Sequence, residues 1–144
     1  MNREPIYSAL FATVSAAADF VTASRRLRHW SDVGPAEQPA LFQAQKSETA
    51  RRTRGLPPRW TLEVDLFIYA QATDELTAPA SVLNPLLDAI EAALAPAGAD
   101  LGTGVQTLGG LVSHCWISGK IQTDEGVLGG QAVAIVPIEI VVGG

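Results

Sequence analysis

The residues that could carry chemistry are few. His114-Cys115 places an imidazole beside the only thiol in the 144-residue sequence. On a strand, neighbouring side chains point to opposite faces, so these two cannot easily form a nucleophile and its base. Cys115, between His114 and Trp116, reads instead as a small buried apolar residue. Glu63 and Asp65 alternate along an apolar-patterned stretch and share one face. Two carboxylates can do acid–base work or hold a metal. With no histidine nearby in sequence and no metal-ligand spacing, they read as solvated charges or ion-pair partners. Gly102-Thr103-Gly104 and Gly109-Gly110 lack the Gly-Lys-Ser/Thr ending of a phosphate-binding loop and read as turn residues. No catalytic residue, metal site or cofactor is expected.

The cations are more distinctive. Arg25-Arg26-Leu27-Arg28-His29-Trp30 combines guanidinium groups with aromatics, and Arg51, Arg52, Arg54 and Arg59 can extend it. Nucleic acid is one reading of such a cluster. An isoelectric point near 4.9 argues against a dedicated nucleic-acid binder. Guanidinium forks also suit carboxylates across a protein interface, which is the preferred reading. Nine basic residues against five acids give residues 1–60 a charge of +4, whereas Lys120 against ten acids gives residues 61–144 a charge of −9. Oppositely charged halves suit a head-to-tail contact between copies.

The totals bound the rest. A chain of this length is about one domain, and a 47% hydrophobic fraction with mean hydropathy +0.18 is enough for a core. One cysteine excludes an intrachain disulfide and fits a reducing compartment. No apolar run approaches the roughly 18–20 residues of a membrane span, and Met1-Asn2-Arg3-Glu4-Pro5 does not open a secretory signal. The cytoplasm is the expected compartment, with no membrane partner.

The elements that must position these residues follow from periodicity. Ile6, Leu10, Phe11 and Val14 predict a helix over 5–18. Residues 20–30 read as a strand, 32–35 as a turn, and 39–48 as a second strand with Ala40, Phe42 and Ala44 on one face. Residues 49–59 form a flexible basic loop broken by Gly55, Pro57 and Pro58. Trp60 to Gln71 alternates strictly, so it predicts the clearest strand. Phe67 and Tyr69 interrupt its polar face, which predicts a cover there from a helix or another copy. Leu83, Leu86, Leu87, Ile90 and Leu94 predict a second helix, capped by Ser81 or Asn84, with Pro85 in its first turn and Pro96 and Gly98 ending it. Residues 111–123 and 131–142 predict a hairpin, with Pro137 marking an edge strand or a bulge. The expected fold is a single α+β domain over 1–144, an antiparallel or mixed sheet of about four to five strands with two helices on one face.

Several segments carry a resemblance. Leu27-Arg28-His29-Trp30-Ser31-Asp32-Val33, Gly55-Leu56-Pro57-Pro58-Arg59-Trp60, Leu83-Asn84-Pro85-Leu86-Leu87-Asp88-Ala89-Ile90 and Gln106-Thr107-Leu108-Gly109-Gly110-Leu111-Val112 resemble tail terminator proteins of tailed bacteriophages and prophages. His114-Cys115-Trp116-Ile117 and Ala134-Ile135-Val136-Pro137-Ile138 add to it. The resemblance implies a structural virion protein without catalytic residues that forms a closed, usually hexameric ring. Such a ring caps the tail tube at its head-proximal end, stops polymerisation and offers a surface for head–tail joining. The implied partners are copies of itself, the tail tube protein and a head–tail connector or neck protein, with transient contact to DNA in the lumen.

Interface residues do not follow from the resemblance and are read from charge. Arg25, Arg26 and Arg28 against Glu63, Asp65 or Glu91 are the expected ring contacts. Arg51, Arg52, Arg54 and Arg59 are the expected tube or lumen contacts, because loops and free edges carry recognition. The alternatives are a connector or neck subunit and, from a different class, a small cytoplasmic enzyme or ligand-binding domain using Glu63, Asp65, His114 or Cys115.

Overall fold

A computed structural model gives the structure of the chain and describes residues 1–127 and 129–143. Helix α1 (Arg3–Ser15) is followed by β1 (Thr22–Ser24), two short 3-10 turns at Trp30–Asp32 and Pro35–Glu37, β2 (Ala40–Arg51) and β3 (Arg59–Gln71). Helix α2 (Pro79–Ala93), a 3-10 turn at Gly98–Gly102, β4 (His114–Ile117), β5 (Gln122–Glu125) and β6 (Gln131–Val142) complete it. The strands make one sheet in the order β1-β2-β3-β6-β4, with β5 also paired to β6. Only β1–β2 is parallel. The class is α+β, with a mixed, open sheet of six strands and two helices.

Alternation drives this arrangement. On β3, Leu62, Val64, Leu66, Ile68 and Ala70 are all buried, and their β6 partners Ile140, Ile138, Val136, Ala134 and Ala132 share that face. Ile6, Leu10 and Val14 of α1 and Leu83 and Ile90 of α2 close over it to form the main core. Each such large aliphatic side chain contributes about 1.5–3 kcal/mol by leaving water. On β2, Leu41 and Gln43 face the same way, and Gln43 Nε2 donates to the Tyr7 carbonyl at 2.9 Å, tying α1 to the sheet.

Several expectations need correction. The strand predicted over residues 20–30 shrinks to Thr22–Ser24, because the chain then folds into the 3-10 turn at Trp30. The stretch 49–59 is mostly strand: β2 runs to Arg51 and β3 begins at Arg59, leaving 52–58 as the turn. Helix α2 begins at Pro79, so Pro85 lies inside it and neither Ser81 nor Asn84 is its cap. The first helix is displaced to Arg3–Ser15.

The predicted 111–123 strand is two short strands, both paired to β6 and interrupted at Ser118–Ile121. Pro137 explains the interruption. Its carbonyl accepts from Ser118 N–H at 3.0 Å, so its own proton-less nitrogen faces the same side, where the ladder is broken. Pro137 is therefore at an irregularity and not on an edge, since β6 has neighbours on both sides.

Candidate functional site

Among the described residues, no α-helix lies over the sheet's second face. In β3 this face carries Arg59, Thr61, Glu63, Asp65, Phe67 and Tyr69. One corner is covered by the chain itself: Val33 and Trp30 pack with Ala40, Phe42, Tyr69, Phe67 and Val133. Tyr69 Oη donates to the Arg28 carbonyl at 2.7 Å, which fixes that flap. The cover expected over Phe67 and Tyr69 from a helix or another copy is supplied within the chain by the Trp30–Val33 segment.

Beyond that corner the face is open and charged. A bulge between Gln45 and Ser47 shifts the register of β2, so that Ser47, Thr49 and Arg51 join the open face and Glu48 turns to the helices. Glu48 there accepts from Arg3 Nε at 2.6 Å and from Tyr7 Oη at 2.8 Å. Arg3 holds the Glu48 carboxyl below its ordinary range, with Tyr7 adding to the effect. Burial and this carboxylate push the Tyr7 hydroxyl up.

At the β2–β3 turn, Arg51 stands directly opposite Arg59 and Thr49 opposite Thr61. With Ser113, His114, Trp116, Glu139 and Val141 they line an open groove of about 590 Å³. The His114 and Trp116 rings lie against each other, tilted by 39° with centroids 4.0 Å apart. In the middle of the face Glu63 stands opposite Glu139, with Asp65 beside them. Ser47 Oγ donates to Glu63, and Lys46 Nζ is 4.0 Å from Asp65. Like charges directly opposite each other on a sheet are destabilising. This face holds two such pairs.

The candidate residues do not converge on one site. Arg25 is bound within the chain to Glu4, and also meets Ser8 and Gln45. Arg28 donates to both Glu37 oxygens, at 2.9 and 3.2 Å, and to the Asp32 carbonyl at 2.6 Å. Arg28, with the Gly34 N–H, holds the Glu37 carboxyl below its usual range. Arg26 is exposed. Glu63 and Asp65 lie on the open sheet face, while Glu91 is exposed on α2. The first-half acids Glu4, Glu37 and Glu48 are engaged by Arg25, Arg28 and Arg3, so the uncompensated positive charge gathers at Arg51, Arg52, Arg54 and Arg59. All four are exposed.

The thiol is elsewhere. Cys115 is fully buried on the helix side, and burial pushes its pKa up to about 12. His114 faces the groove, so the two point apart as alternation requires. Among the described residues, no group of three or more His, Cys, Asp or Glu could hold a metal ion, and no helix is long and apolar enough to cross a membrane. Sequence reasoning missed the Arg51–Arg59 opposition and the place of Glu139 and Trp116 beside it. The signal was the alternation of 131–142, whose odd positions share the face of Glu63. The register shift at Lys46 left no such signal.

The groove combines two guanidinium groups, hydroxyls, an imidazole beside an indole, and the Glu139 carboxylate. The chain matches no protein-family model and no curated protein.

Proposed function

We propose that this chain is a structural subunit that joins copies of itself into a closed ring, and that the ring terminates the tail tube of a tailed bacteriophage. One observation supports self-association above the rest. The sheet is sealed by two helices on one face, while its other face is open over the stretch from Asp65 to Arg59. That open face carries opposed like charges, Arg51 with Arg59 and Glu63 with Glu139, which a neighbouring surface of opposite sign would relieve. A contact between two different surfaces of one chain closes into a ring when its rotation divides a full turn.

Arg25 and Arg28 serve within the chain in this reading, so the ring contacts fall to the open face with Glu63 and Asp65. The basic turn with Arg52 and Arg54 faces the tube or the lumen. That the ring belongs to a phage tail rests on the resemblance of the segments from Leu27 to Ile138 to tail terminators. A hexamer, a tube protein below and a connector above follow from the same resemblance. No cofactor enters this role.

Growing tail tubes imaged in negative stain with and without the chain test the proposal. The expected result is a ring at the tube end and tubes that stop lengthening. A strictly monomeric protein that neither caps tubes nor limits their length sinks it.

A further inference from the structure

The basic groove has a chemical complement at the far end of the same molecule. Strand β3 carries the chain over 13 residues from Arg59 to Gln71, about 40 Å at strand rise. Immediately past Gln71 come Asp74 and Glu75, and β5 returns Asp124 and Glu125 to the same end, where Gly130 O accepts from Ala72 N–H. Two large apolar side chains stand out among these acids: Leu76 is 98% exposed and Val127 80%. Two of the acids have local duties. Asp74 accepts from Leu76 N–H, Thr77 N–H and Thr77 Oγ1, and Glu125 accepts from Ala80 N–H in the first turn of α2. Glu75 and Asp124 are exposed, and among the described residues no ion pair engages either.

We infer that the groove under Arg51 and Arg59 receives this acidic end of a second copy of the chain. Glu75 and Asp124 meet the guanidinium groups, while Leu76 and Val127 supply apolar contact for Trp116. The contact is necessarily intermolecular, because groove and acidic end lie at opposite ends of one rigid sheet. It is also head-to-tail, because the two surfaces differ. The opposed pair Arg51 and Arg59 repels until an anion lies between them.

A nucleic acid would be the other polyanion to consider, and the groove disfavours it. Glu139 lies in its lining with Glu63 directly opposite on β3, so a continuous phosphate strand crossing the face would meet carboxylates. Separate acids interspersed with apolar side chains can seat beside Arg51 and Arg59 without crossing Glu139 and Glu63. The inference rests on the self-association proposed above and not on the tail.

Two charge-reversed variants test it, Arg51→Glu/Arg59→Glu and Glu75→Lys/Asp124→Lys, with circular dichroism confirming that each folds. Native mass spectrometry and sedimentation over a concentration series read association. Each variant alone is expected to associate about tenfold or more weakly than the unaltered chain. Their equimolar mixture is expected to recover association, because each supplies the complement of the other. Salt weakens the unaltered contact, since it screens exposed charges.

Variants that associate like the unaltered chain, a mixture that fails to recover, or an unaltered chain that stays monomeric throughout each overturn the contact. So does loss of binding to a double-stranded DNA oligonucleotide in Arg51→Glu/Arg59→Glu with self-association intact, which would make the groove a DNA site. If the pairing rule holds but tube growth is unaffected, the tail reading fails and this contact stands. If both variants cap tubes normally, this contact fails and the tail reading stands.

Discussion

On β3, side chains one residue apart live in different surroundings. Leu62, Val64, Leu66 and Ile68 are sealed under two helices, while Thr61, Glu63, Asp65 and Phe67 between them remain in partial contact with solvent. The sealed face is built for stability. Its rows are aliphatic across β3 and β6, its one thiol is buried, and Glu48 at its margin is held by Arg3 and Tyr7. The open face does things that folding alone disfavours, since it sets arginine against arginine and glutamate against glutamate. That registry of like charges, more than exposed polarity alone, is what supports the proposed self-association through this face.

The contrast predicts its own tests. Leu66→Ala on the sealed face should cost about 2–5 kcal/mol in urea unfolding, whereas Thr61→Ala on the open face should stay within ~0.5 kcal/mol. Equal losses would erase the distinction between faces. Cys115→Ser, which places a hydroxyl where the thiol is fully buried, should cost about 1–3 kcal/mol. In the unaltered protein the thiol should ignore disulfide reagents until the chain unfolds, given a pKa of about 12.

Acid should act on the rim where helix, flap and sheet are tied. Glu4, Glu37 and Glu48 all have folded-state pKa values below the ordinary 4.5, through Arg25, Arg28 and Arg3 respectively. A carboxylate so depressed adds stability that is fully present above pH 4.5 and is lost as pH falls through the folded value. Unfolding midpoints measured from pH 6 downward should therefore drop below about pH 4.5, and Glu48→Gln should flatten that drop. A small gain is expected of Glu139→Gln. It removes a like charge opposite Glu63, so the isolated chain should gain about 0.2–1 kcal/mol. A loss of stability there would mean that the glutamate pair is internally compensated.

Much of this architecture was legible before any coordinates. Strict alternation from Trp60 to Gln71 named both faces of β3, and the Leu83–Leu94 spacing named α2. What escaped were features that depend on chain crossing chain. The Trp30–Val33 flap was read as strand and turn because its local composition is extended, and only tertiary contact with Phe42 and Tyr69 makes it a cover. The bulge at Lys46 decides whether Arg51 or Glu48 faces the helices, yet nothing in Gln45-Lys46-Ser47 marks it. Pro137 was legible as a disturbance, but its place in a central strand depends on β4 and β5 sharing one neighbour. For the candidate site, the charge asymmetry between halves was visible. The sequence could not show that Arg25 and Arg28 would be used internally while Arg51 and Arg59 would be set side by side.

Hydroxyl-radical footprinting of the chain across its association range tests the central claim most directly. The two-face account predicts that Trp116 and His114, in the open groove, lose reactivity as copies associate, while Leu86 and Leu87 on α2 keep theirs. Protection of α2 with Trp116 unchanged, or no association at any concentration, would contradict it.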